Sequence, residues 1–78
     1  MKNELQIMIE DINNISPKFK ERIALSQTMT AQIIGISDNT LSSWRKEGIG
    51  PEYLKSGGRI LYPKTKIAQY LLNTIKTI

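Results

Sequence analysis

A single glycine sets what the middle of this chain can become. Gly35 lies between two runs with helical character, Gln27–Ile34 and Asp38–Glu47. Glycine reaches left-handed backbone angles without steric cost, so it supplies a tight bend between two short helices. Ser26 and Ser37 stand just before the two runs, where a hydroxyl accepts a free N–H of the first turn. Asp38 suits the positive start of the second helix, and Arg45 and Lys46 suit its negative end. Gly48 stops that helix, and Gly50-Pro51 prevents its resumption. Ala31, Ile34, Ile36, Leu41 and Trp44 are spaced to wedge the two helices together. Asp38, Asn39, Ser42, Ser43 and Lys46 then fall on the outer face of the second helix. A small residue, a glycine four positions on, and apolar residues six and nine positions beyond it are the spacing of a helix-turn-helix.

The residues that follow predict a hairpin. Tyr53-Leu54-Lys55 and Arg59-Ile60-Leu61-Tyr62 are strand-like runs on either side of Gly57-Gly58. A loop of two residues and one of three are both compatible, so the register stays open. Lys55 and Arg59 flank the tip in either case. A two-stranded hairpin is not stable alone and must lean on the helices as a wing. A basic wing tip suits the sugar-phosphate backbone; a solvated turn with two incidental cations is the plainer reading. Pro63 ends the second strand, and Lys64 to about Lys76 reads as a closing helix. Its stripe of Ile67, Tyr70, Leu71 and Ile75, with Ile78 beyond, is expected in the core.

Upstream, residues 1–15 place Leu5, Met8, Ile9, Ile12 and Ile15 near the spacing of an amphipathic helix, with Ile7 off the stripe. That face either packs on the domain's own core or serves self-association. Asn13-Asn14 and Ser16-Pro17 then break the pattern. Ser16 can cap a short helix beginning at Pro17, or the chain can approach the next helix extended. Phe19, Ile23 and Leu25 are expected buried, and Lys18, Lys20 and Arg22 solvated. The chain thus divides into an N-terminal helical extension, 1–24, and a DNA-binding domain, 25–78.

Composition narrows the function. At 78 residues the chain is a single domain near the lower size limit for a self-sufficient core. It contains neither cysteine nor histidine, which excludes disulfides and the usual zinc sites. No apolar run approaches the roughly 20 residues that span a bilayer, and no signal-peptide pattern opens the chain; a cytoplasmic location is expected. The net charge of +4 is unevenly placed. Residues 1–26 carry four basic and four acidic side chains, residues 27–78 seven and three. The excess lies with the two-helix unit and the hairpin, as in a nucleic-acid binder. No paired carboxylates and no phosphate-cradling glycine loop are evident, so neither enzyme activity nor a cofactor is expected.

Gly35-Ile36-Ser37, Thr40-Leu41, Trp44-Arg45, Gly48 through Pro51, and Gly57-Gly58-Arg59 with Tyr62 occur in an order that resembles a known family. It is similar to the small winged-helix proteins related to MerR-type DNA-binding domains, particularly phage and mobile-element excisionases and AlpA-like prophage regulators, over about residues 25–73. The resemblance implies a mainly α, winged helix-turn-helix fold with a two-stranded wing and a closing helix. It also implies that the second helix enters the major groove of double-stranded DNA. Asp38, Asn39, Ser42 and Ser43 would face bases, and Arg45, Lys46, Lys55 and Arg59 phosphates. Ser37 and Thr40 complete the expected DNA-binding set. Relatives bend DNA, assemble recombination complexes or control promoters, so an integrase and a second copy of the chain are further expected partners. Two departures stand out: the extension 1–24 is long, and the groove-facing positions lack arginine, the usual bidentate reader of guanine.

Basic side chains release counterions and supply most of the affinity, while base edges supply discrimination. Asn39 is the best candidate reader, because its amide pairs bidentately with adenine. Asp38 can accept from cytosine but suits the helix cap better near phosphates. With so few base contacts, DNA shape and deformability carry part of any specificity. The competing expectation is a protein-interaction or assembly module that uses the N-terminal helix, as in small phage packaging components.

Overall fold

The computed structural model describes residues 2–73. In chain order the elements are α1 (Glu4–Ile15), α2 (Pro17–Lys20), β1 (Ala24–Ser26), α3 (Gln27–Ile34), α4 (Asp38–Glu47), β2 (Leu54–Ser56), β3 (Arg59–Pro63) and α5 (Lys64–Leu72). This is a winged helix-turn-helix, mostly helical with a small antiparallel sheet. No helix among the described residues is long and apolar enough to cross a membrane.

The turn between α3 and α4 forms as the residues dictate. Gly35 takes φ +90°, and the N–H groups of Gly35 and Ile36 both return to the Ala31 carbonyl, at 2.8 and 3.0 Å. Ser26 caps α3 by accepting from Met29 N–H at 3.2 Å, and Ser37 caps α4 by accepting from Thr40 N–H at 3.1 Å. Gly48 ends α4 in the left-handed region, with Ile49 N–H bonded to the Trp44 carbonyl at 2.9 Å. Ala31 and Leu41 are buried where the two helices meet. Ile34, Ile36 and Trp44 are half-buried and pack against them.

The sheet corrects the expected two-stranded wing. It has three strands in the order β1-β3-β2, because Ala24, Leu25 and Ser26 pair with Pro63, Tyr62 and Leu61. The wing is thereby tied to the residues that lead into α3, which supplies the support a lone hairpin lacks. Segment 16–26 adopts both of the forms open to it: a one-turn helix capped by Ser16, then an extended strand. Ser56 pairs with Arg59, so the wing turn has two residues, Gly57 and Gly58, at φ +56° and +80°. Two positive φ values in succession define the primed hairpin turn that matches strand twist.

The core is Ile12, Phe19, Leu25, Ala31, Leu41, Tyr62, Ile67 and Ala68. Ile12 comes from α1, which packs along α5, with Leu5, Met8 and Ile9 lying against the same core. Two apolar residues do not follow their expectation. Ile15, at the last turn of α1, is exposed, as is Ile7. Ile23 was expected buried but is 85% exposed. Phe19 and Leu25 fill the interior on either side of it, and its carbonyl is held by Lys64 N–H at 2.8 Å, which leaves the side chain outward. On α5, Ile67 is fully buried and Tyr70 and Leu71 are half-buried; Ile75 and Ile78 lie outside the described residues.

One buried charge joins the N-terminal segment to the rest. The Lys64 Nζ donates to Asn13 Oδ1 at 2.6 Å and to the Phe19 carbonyl at 3.0 Å, linking α5 to α1 and α2. Burial pushes this ammonium below its ordinary pKa.

Candidate nucleic-acid interface

Helix α4 presents two unlike sides. Leu41 and Trp44 face inward, the latter tilted against Tyr70 with ring centroids 6.2 Å apart. Asn39, Ser43 and Lys46 are exposed, and their spacing of four and three residues stacks them along one face. That stripe offers an amide, a hydroxyl and an ammonium on a rigid helix fixed by caps at both ends. Major-groove readout needs hydrogen-bonding side chains of this kind on such a helix.

The other expected contact residues are engaged within the protein to different degrees. Asp38 is exposed, but its Oδ1 accepts from Gln27 Nε2 and its Oδ2 from Thr28 Oγ1 at 2.8 Å. These bonds, Gln27 first, hold its carboxyl below the ordinary value. Ser37 Oγ and Thr40 Oγ1 share a hydrogen bond of 2.7 Å at the start of α4. Arg45 is half-buried: its Nη2 donates to Gln27 Oε1 at 3.2 Å and to Ser42 Oγ at 3.4 Å. Its guanidinium carbon lies 5.8 Å from the centroid of the Tyr53 ring, within cation–π range. Tyr53 in turn packs on Tyr62, centroids 5.9 Å apart. Burial raises the pKa of the Tyr62 phenol, and the neighbouring Arg45 charge works against that rise.

The wing brings the remaining two cations forward. Lys55 and Arg59 are both exposed, beside the Gly57-Gly58 tip. Lys55 pairs with Ile60, and Ser56 with Arg59, so alternation puts Lys55 and Arg59 on opposite faces of the wing. A blade with a cation on each face can meet phosphates on both sides of a groove.

Gln27, Thr28 and Tyr53 belong to this region although the sequence reading gave them no part in it. Gln27 follows the Ser26 cap and reads as an ordinary first-turn residue. Its partners lie 11 and 18 positions away, a separation that local pattern does not reveal.

The chain matches the model of a family described as a helix-turn-helix domain over residues 25–74, which is 50 of its 78 residues. No curated protein and no solved structure matches it significantly. The matched span holds α3, α4, the wing and α5, the elements that build the face just described. The chain belongs to the helix-turn-helix domain family and is a small DNA-binding protein.

Proposed function

We propose that this protein binds double-stranded DNA with sequence preference, in the manner of MerR-like winged helices, and serves a phage or mobile element as an excisionase or as a transcriptional regulator. The observation that carries the reading is the exposed Asn39–Ser43–Lys46 stripe of α4, set beside a wing with cations on both faces. Helix α4 lies in the major groove, where Asn39 pairs with adenine and Ser43 adds a second polar contact. Lys46 and the wing cations neutralise phosphates and supply most of the affinity through counterion release. With only two or three base contacts, sequence-dependent bending supplies the rest of the preference. In the excisionase role the partners are an integrase and a second copy of the chain on adjacent DNA.

The test is selection of bound sequences from a pool of random duplexes, repeated with Asn39→Ala. The wild type enriches a short motif, and the variant loses preference at one adenine by about 1–3 kcal/mol while binding to random DNA is kept. Equal losses on selected and random duplexes would refute base reading by Asn39. A second reading, an assembly module, draws on Ile7 and Ile15, the exposed isoleucines of α1. Because Ile12 is in the core, that reading is tested with Ile7→Ser and Ile15→Ser rather than by deleting α1. A change in solution mass with DNA binding intact would favour it.

A further inference from the structure

One side chain touches both ends of the reading helix. Gln27, at the start of α3, donates from Nε2 to Asp38 Oδ1 at the first turn of α4. The same nitrogen lies 3.4 Å from the Asp38 carbonyl. Its Oε1 accepts from Arg45 Nη2 in the last turn. An amide is suited to this place because it carries a donor and an acceptor together; it satisfies a carboxylate with one and a guanidinium with the other. From Arg45 the contacts continue across the Tyr53 ring to Tyr62, which is 1% exposed in the central strand of the sheet. The Arg45 Nε is itself buried.

The geometry points to Gln27 and Arg45 as a strut that sets α4 at a fixed angle to the wing, with Arg45 acting inside the protein as a positioning residue and not as a phosphate contact. This rests on the DNA-binding reading above and adds to it. Binding through two surfaces gains from linkage only while both reach the duplex together. A guanidinium locked between an amide, a hydroxyl and an aromatic ring holds that relation better than a flexible lysine, because its fork and plane are rigid. The strut therefore acts on preference for the target more than on general attraction to DNA.

The test compares Arg45→Met, Gln27→Glu and the double variant Gln27→Glu/Asp38→Asn on a selected duplex and on a random one, over a range of salt. Arg45→Met is expected to lower the target-to-random ratio by about tenfold. The slope of log K against log salt should stay within about 0.3 of wild type, since no phosphate contact is lost. Gln27→Glu alone sets a carboxylate against Asp38 and loses preference. The double variant exchanges amide and carboxylate, restores both bonds, and recovers the ratio to within about threefold. A slope shallower by about 0.9 in Arg45→Met, with equal losses on both duplexes, would make Arg45 a phosphate contact and overturn the strut. A double variant no better than Gln27→Glu would overturn it too.

A wild type that binds neither duplex refutes the DNA-binding reading alone, and the strut is then read in the free protein by NMR. The Arg45 Nε–H should exchange at least about tenfold more slowly than that of an unprotected arginine and lose this protection in Gln27→Leu. Unprotected exchange in the wild type would overturn the strut independently of DNA.

Discussion

At the scale of single residues, two glycines with similar backbone angles predict different outcomes. Gly35 at φ +90° has open space where a Cβ would sit, so Gly35→Ala bears only the cost of a left-handed alanine, about 1–2 kcal/mol. Gly50 at φ +89° would place a Cβ 3.2 Å from Trp44 Cε3, so Gly50→Ala adds crowding to the same strain. Thermal unfolding should show Gly35→Ala falling by about 4–8 °C per kcal/mol lost, Gly50→Ala falling further, and Trp44 fluorescence changing only in the second. Equal shifts would mean that Trp44 yields freely. Asp38 makes a pH prediction. Its carboxyl is held low by Gln27 and Thr28, so it contributes stability above the ordinary carboxylate pKa of 3.8 and loses it as pH falls through the lowered value. Below about pH 4 the melting temperature of the wild type should fall more steeply than that of Asp38→Asn. Residues with local roles, such as Gly35, Ser26 and Ser37, were legible because capping and turning are decided within a few positions. Gln27 was not, because its role exists only once α3 and α4 are packed.

At the scale of elements, the sequence announced the helices and hairpin but not how they are tied. The short strand β1 has only three residues and no alternation of its own; it is a strand because Tyr62 and its neighbours offer an edge to pair with. Ile23 misled for a related reason, since an isoleucine before a strand looks like core when the neighbours that fill the interior are not yet known. Lys64 reads from sequence as a surface residue at the start of a helix, yet it is the tie between α5, α1 and α2. Lys64→Met leaves Asn13 Oδ1 and the Phe19 carbonyl short of a donor and should cost about 1.5–3 kcal/mol, with α1 amides losing exchange protection first. Uniform loss of protection across the chain would instead mean that α1 and the wing domain open together. In the wing, Lys55→Ala/Arg59→Ala should reduce the salt slope of DNA binding by about two, one for each phosphate. An unchanged slope would remove the wing from the contact surface.

At the scale of the whole molecule, the charge map and the fold agree. The basic excess of residues 27–78 is carried by the part that holds α4 and the wing, while residues 1–26 are balanced. The expected split into an extension and a domain looks different in three dimensions, since Ile12 and Phe19 supply part of a core shared with Leu25, Leu41 and Ile67. The outer face of α4 was legible, because Leu41 and Trp44 fix which side turns inward. The part played by Arg45 was not, because a cation near a helix end looks the same in sequence whether it faces a phosphate or Gln27. The most direct measurement of the central claim is an amide NMR titration of the protein with a selected duplex. The account predicts that the largest shifts cluster at Asn39, Ser43 and Lys46 and at the wing from Lys55 to Arg59, in one saturating process. Shifts confined to α1, with α4 and the wing unmoved, would contradict it.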